Sequence, residues 1–266
     1  MDLQLLETHV LIGGGSKGIG LACASGFLGE GARVSLVSRD MAHLEAARTR
    51  LLDRFSQAGN RIALFPANLC DAAQAATIVG QAEQAHGPID ILVNCAGAAK
   101  RTPPDELTAA HWHEAMEAKF FTYIHLIDPV VKRMAARGSG VILNIVGSGG
   151  KIAKPLHLPG GAANASLMLV SAGLAAAYGP RGIRVNAINP GTTRTERMQA
   201  GLEVEARAHQ ITLDEALAKA SAGLPLGRVA EPEEVANAVL FLCSPKASYI
   251  TGAILSMDGA VTPMVV

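Results

Sequence analysis

The stretch that decides the fold is Gly13-Gly14-Gly15-Ser16-Lys17-Gly18-Ile19-Gly20. It follows the apolar run Thr8–Ile12, which predicts a strand, and opens the segment Gly18–Gly29, which predicts a helix. Glycines at such a turn leave no side chain between the backbone and a pyrophosphate. The helix behind them aims its first N–H groups and its positive dipole end at the phosphates. Gly13, Gly15 and Gly18 spell G-x-G-x-x-G, which points to a dinucleotide when it joins a first strand to a first helix. A Walker-type phosphate loop fits worse, because Lys17 precedes its glycine rather than following one.

Downstream of this turn, short apolar runs keep alternating with longer amphipathic ones. Arg33–Ser38, Ile62–Phe65, Ile91–Asn94, Val141–Val146, Ile183–Ile188 and Ala253–Met257 read as strands, and Met41–Ala58 as a second helix. Runs apolar on both faces suit strands covered by helices on each side. The alternation predicts an α/β fold: one doubly wound parallel sheet of about seven strands, with helices on both faces, over residues 1–266. The polar segment Thr192–Ala222 follows a strand end. It is expected to form a small helical lid over the carboxyl edge of the sheet, where ligand clefts of such sheets lie.

Composition limits the function classes. The chain has 266 residues, 49% of them hydrophobic, and its 23 basic side chains balance 23 acidic ones. A chain with no net charge has no broad field to steer nucleic acid or an anionic membrane, so neither is an expected partner. Cys23, Cys70, Cys95 and Cys243 share no metal-ligand spacing and read as buried free thiols, so no metal is expected. Met1 to His9 lacks a cationic run followed by an apolar core, which predicts a cytoplasmic protein. The uncharged stretch Pro155–Pro180 contains Asn164, Ser166 and Ser171. It is read as a helix buried in protein on both sides, at a subunit contact, rather than as a membrane span.

The second strand ends in Ser38-Arg39-Asp40. An unphosphorylated dinucleotide calls for a carboxylate at this strand end, and a 2′-phosphorylated one for a cation. Ser38 takes the expected acidic place, and Arg39 and Lys17 can flank a 2′-phosphate, so NADP(H) is preferred; Asp40 keeps NAD(H) possible.

Together these segments resemble the short-chain dehydrogenase/reductase family over nearly the whole chain. The turn Gly14 to Gly20 is similar to its T-G-x-x-x-G-x-G, with Gly13 in place of Thr. Asn94-Cys95-Ala96-Gly97 is similar to its N-x-A-G. Gly182-Ile183-Arg184-Val185-Asn186, Asn189-Pro190-Gly191 and Thr195, then Pro225 to Arg228, Glu231 to Glu234 and Thr251-Gly252 match its later segments. The resemblance implies a single Rossmann-type domain, a small-molecule substrate and a homotetramer or homodimer binding NAD(P)H. It also implies cofactor contacts at Gly14, Ser16, Lys17, Gly18, Ile19 and Gly20. Asn68 and Leu69 would flank the adenine; Asn94, Ala96, Gly97, Pro190, Gly191 and Thr195 would line the rest.

The same resemblance exposes a gap. The family's proton comes from a Tyr phenol, helped by a Lys, a Ser and an Asn, because a phenol titrating near ~10 needs help at neutral pH. Counting back from Asn186 puts the Lys on Asn164, the Tyr on Gly160 and the Ser on Gly147, and the helix Asn falls on Lys119. Nearby substitutes are Ser148 to hold a substrate oxygen, His157 as acid or base, and Asn164 to hydrogen-bond a ribose; Lys119, Lys151 and Lys154 are further candidates. Three functions stay open: an NADP(H)-dependent oxidoreductase acting on a carbonyl or alcohol with a non-standard site, a catalytically impaired sensor or structural protein, and a non-redox lyase or isomerase with His157 as base.

Overall fold

A computed structural model of the protein describes residues 1–97 and 100–263. Seven parallel strands form one sheet in the order β3-β2-β1-β4-β5-β6-β7. They are β1 (His9–Gly13), β2 (Arg33–Ser38), β3 (Ile62–Pro66), β4 (Ile91–Asn94), β5 (Gly140–Ile145), β6 (Ile183–Pro190) and β7 (Ile254–Met257). The order reverses direction at β1, and the strand ends Gly13 and Asn94 pair across that switch. A crevice opens at this point in doubly wound sheets.

Helices cover both faces, as strands apolar on both sides require. On one face α1 (Gly18–Gly29), α2 (Met41–Arg54) and α9 (Pro232–Cys243) pack on a core that includes Phe27, Leu36, Leu44 and Val239. On the other, α3 (Ala72–His86), α5 (Thr122–Arg137) and α6 (Leu158–Tyr178) pack on Leu92, Leu126, Met134 and Val185. The helix expected over Met41–Ala58 is shorter, because Phe55 leaves helical geometry at φ −129°.

Between β4 and β5 the chain forms α4 (Ala109–Ala115) and then a π-helical stretch, Met116–Phe121, that runs straight into α5. Widened turns of this kind re-aim side chains and are frequent at functional sites. After β6, α7 (Glu196–His209) and α8 (Leu213–Ala222) pack on each other through Leu202, Ala206 and Ala216, a cluster separate from the two main cores. The segment 192–222 is therefore a helical pair beyond the carboxyl end of β6.

The helix containing Pro155–Pro180 is long and apolar enough to cross a membrane by length and composition, yet it lies against the sheet along a single face. Leu167, Ser171 and Ala175 are buried, whereas Leu169 is 76% exposed and Ala165, Ala172, Gly173 and Ala176 are exposed beside it. The residues on that outer side are mostly small, so the chain alone does not bury both sides of the helix.

Candidate active site

The carboxyl ends of β1 to β6 meet at one cleft. Gly14 takes φ +82° and Gly18 φ +52°, conformations that L side chains rarely adopt. A Cβ on Gly14 would stand 2.8 Å from the backbone N of Ala96, and one on Gly20 would collide with the Gly14 carbonyl. The turn thus lies directly on the β4 end and on its own helix. Lys17 precedes α1 without a side-chain cap, so the first N–H groups of this twelve-residue helix face the cleft unblocked. A glycine cradle under an uncapped helix start fits a dinucleotide pyrophosphate.

Two connected hollows share Gly14, Ser38, Arg39, Ala96 and Gly97. The first, about 250 Å³, runs past Asn68, Leu69, Cys70, Ala118 and Thr122. The second, about 730 Å³, runs past Ser16, Lys17, Gly18 and Ile19 to Lys119, Gly147, Pro190, Gly191 and Thr195. Ser16 Oγ donates to Ser38 Oγ at 3.1 Å, joining the turn to the β2 end. Asp40 is engaged elsewhere. Its carboxylate accepts from Ala42 N at 2.8 Å as the cap of α2 and lies 3.6 Å from His43 Nδ1.

Not every expected contact reaches this cleft. Gly20 packs behind the turn. Asn94 is buried and donates through Nδ2 to Asn144 Oδ1 at 2.9 Å, supporting the strand ends from below. Asn164 is 4% exposed, and its Oδ1 accepts from Gly147 N at 3.2 Å, which fixes the β5–α6 turn. Ser148 opens instead on a neighbouring hollow beside Lys151, Ser256 and Asp258. Lys151 donates to Ser256 Oγ at 2.9 Å and to the Ile254 carbonyl at 3.3 Å, on the same side.

His157 stands at the start of α6, half-buried, with its backbone N donating to Lys154 O at 2.8 Å. Its Nδ1 is buried with no hydrogen-bond partner among the described residues. Burial, and then the positive charge of Arg101, lower its pKa from the ordinary 6.5, so the ring is neutral at physiological pH.

Sequence reasoning placed Lys119 among several candidate cations but gave Tyr123 no role. Tyr123 is fully buried, and burial raises its phenol well above the usual value, so it stays protonated. Its hydroxyl donates to the Ile145 carbonyl at 2.6 Å and accepts from Lys119 Nζ at 2.8 Å. Lys119 Nζ also lies 3.3 Å from the Ile145 carbonyl, 3.5 Å from the Ala96 carbonyl and 4.5 Å from the centre of the Tyr123 ring. The available signal was the i, i+4 spacing of a Lys and a Tyr on one helical face. The π-helical stretch that turns Lys119 toward the strand ends leaves no such mark in the sequence.

The family model described as enoyl-(acyl carrier protein) reductase matches residues 14–262. A 3α-hydroxysteroid dehydrogenase of Mediterraneibacter gnavus is 33% identical, covering 98% of this chain and 99% of that one. A D-threitol dehydrogenase of Mycolicibacterium smegmatis is also 33% identical, covering 98% and 95%. Among solved structures, an L-sorbose reductase of Gluconobacter frateurii with NADPH and L-sorbose superposes with a TM-score of 0.93, at 29% identity and full coverage of both chains. An NADPH-bound short-chain oxidoreductase of Pseudomonas aeruginosa PAO1, described as containing an atypical catalytic center, gives a TM-score of 0.88 at 30% identity, covering 98% and 99%.

Proposed function

The chain belongs to the short-chain dehydrogenase/reductase family, and from this premise we propose that it is an NADP(H)-dependent oxidoreductase that acts on a carbonyl or alcohol of a small molecule through a non-standard catalytic site. The observation that carries the reading is the glycine turn, where a Cβ on Gly14 would stand against the backbone of Ala96 and one on Gly20 would collide with the Gly14 carbonyl, so only bare backbone lies beneath the uncapped start of α1. The NADPH-bound relatives support it. NADP(H) is favoured over NAD(H) because Ser38, Arg39 and Lys17 line the cleft while the Asp40 carboxylate caps α2.

When bound, the dinucleotide supplies or takes up the hydride; the chain's own residues bind, orient and move the proton. Gly14, Ser16, Gly18 and Ile19 would hold the pyrophosphate; Arg39, Ser38 and Lys17 the 2′-phosphate; Asn68 and Leu69 the adenine. Ala96, Gly97, Pro190, Gly191 and Thr195 would flank the nicotinamide half. The positions that usually carry Ser, Tyr, Lys and Asn are read as Gly147, Gly160, Asn164 and Lys119. Asn164 then acts by holding the Gly147 backbone, and Ser148, facing the neighbouring hollow, stays outside the reaction. His157, neutral at physiological pH, relays a proton at the mouth of the site. A cytoplasmic homodimer or homotetramer completes the reading, with a second copy covering the exposed small residues of α6.

A second reading, a dinucleotide-binding protein without turnover, is favoured by Gly147 and Gly160, which carry no hydroxyl. The two separate on mixing the protein with NADPH and a panel of ketones while following nicotinamide absorbance. The first predicts NADPH consumption, lowered ~10²-fold by His157→Ala, the lower end of the usual range for a proton-transfer group. Saturable NADPH binding with no turnover on any ketone would select the second.

A further inference from the structure

The NADP(H) reading gives the 2′-phosphate to Ser38, Arg39 and Lys17 and leaves His43, on the first turn of α2, without a role. We infer that His43 is a further ligand of that phosphate. It binds as an imidazolium that takes up its proton as the dinucleotide enters, and Asp40 is the residue that positions it. The inference rests on the NADP(H) reading.

Three observations converge on His43. It lines the larger hollow together with Ser38, Arg39 and Lys17, so it stands where that reading seats the phosphate. Its Nε2 lies 3.1 Å from Lys17 Nζ. Its Nδ1 lies 3.6 Å from Asp40 Oδ2. The other Asp40 oxygen accepts from Ala42 N, so the carboxylate is fixed to the helix that carries His43.

The hydrogen-bond directions decide what a phosphate does here. An ammonium only donates, so Nε2 accepts from Lys17 and the ring proton sits on Nδ1, toward Asp40. Lys17 also lies 3.7 Å from Glu196. A phosphate that draws Lys17 to itself takes away the donor that Nε2 uses, and sets acceptor oxygens beside a bare lone pair. One proton from solvent removes the conflict. Nε2–H then donates to the phosphate, Nδ1–H still faces Asp40, and the imidazolium stands between two anions. An opposite charge on each side favours the charged form, and histidine is the side chain that changes charge most readily near neutral pH. The other charged groups around the ring are Arg39 in the same hollow, and Glu196 with Arg50 beyond Lys17. α1 and β3, which pack against α2, bring no charge. Asp40 thus serves the phosphorylated dinucleotide by orienting His43, rather than receiving the ribose of the unphosphorylated one.

Calorimetric titration with NADPH and with NADH, repeated in buffers of different ionisation enthalpy, counts the protons that accompany binding. At pH 7.5 a phosphate monoester, with its second pKa near ~6, is already a dianion, so protons taken up go to the protein. The wild type is expected to take up protons with NADPH and none with NADH. Its NADPH dissociation constant is expected to rise ~3-fold or more from pH 7 to pH 9, within the ~10-fold of one charge-assisted hydrogen bond. The sign follows because a complex that holds the extra proton weakens as protons become scarce. His43→Gln keeps a hydrogen-bonding side chain without the charge, and should abolish both the uptake and the pH dependence. Its unchanged NADH affinity would show that the fold is intact. Asp40→Asn keeps the helix cap and should shrink the uptake and the pH slope; if both stay at wild-type values, Asp40 does not position His43. NADPH binding tighter than NADH but without proton uptake, or uptake that persists in His43→Gln, would overturn the inference and leave the NADP(H) reading standing. No saturable binding of NADPH would overturn both.

Discussion

Lys17 Nζ lies 3.7 Å from the Glu196 carboxylate, so the glycine turn and the first residue of α7 are tied across the mouth of the cleft. Arg50 of α2 joins them, donating to Glu196 Oε1 at 3.0 Å. The Arg50 hydrogen bond, reinforced by Lys17, holds the Glu196 carboxyl below the usual carboxylate range. A phosphate entering beside Lys17 must compete with this carboxylate. Glu196→Gln is therefore expected to tighten NADPH by ~2–5-fold, a change on the scale of one exposed ion pair. Titrations at low and high salt check it; the gain should shrink as salt screens Lys17.

Arg39 lines both hollows. Arg39→Ala is expected to weaken NADPH by ~10-fold or more, about the 1.5–3 kcal/mol of a charge-assisted hydrogen bond. NADH, lacking the 2′-phosphate, should change less than twofold. Equal losses for both would remove Arg39 from the phosphate site.

Gly14→Ala places a methyl at φ +82° and 2.8 Å from two backbone atoms of Ala96. Strain in the left-handed region costs ~1–3 kcal/mol, and the clash with the β4 end adds to it. Urea unfolding should show a loss in that range or above, and NADPH binding should vanish. Gly59, half-buried but with nothing within 4 Å of a Cβ and no left-handed φ, is the control and should tolerate Ala.

His9 gives the protein an acid-side weakness. Its Nδ1 contacts the Gly87 carbonyl at 2.7 Å and its Nε2 the Ser35 hydroxyl at 2.8 Å, which fixes a neutral ring at 1% exposure. Burial lowers its pKa from 6.5 to about 4. The unfolded chain thus binds the proton more readily. The stabilisation from a neutral His9 is full above pH 6.5 and is lost as the pH falls toward 4, a loss on the order of 3 kcal/mol. Denaturant unfolding at pH 7 and pH 4.5 should show it, and His9→Gln should flatten the slope, leaving the smaller share of His86, whose pKa burial also lowers.

Much of this was legible because the signals are local. The glycine turn, the apolar strands and the Asn94-Cys95-Ala96-Gly97 segment each state their own geometry, and the seven-stranded parallel sheet follows from their alternation. Residues whose roles depend on distant partners were less legible. Asn94 reads like a cleft residue, but its side chain is taken up in donating to Asn144 on β5. Asn164 is claimed by the Gly147 backbone for the same reason. Ser148 stands one residue from the cleft-lining Gly147, and the short helical turn Ser148–Gly150 swings it to the other side. Lys119 and Tyr123 stand at i, i+4 spacing, but the Ile145 carbonyl that both meet lies on β5, a partner distant in the sequence.

Calorimetric titration of the wild-type protein with NADPH and with NADH tests most directly whether this cleft holds a 2′-phosphorylated pyridine dinucleotide. Saturable one-to-one binding is predicted for NADPH, at least ~10-fold tighter than for NADH, as one charge-assisted phosphate contact implies. No saturable binding of either dinucleotide at millimolar concentration would contradict it.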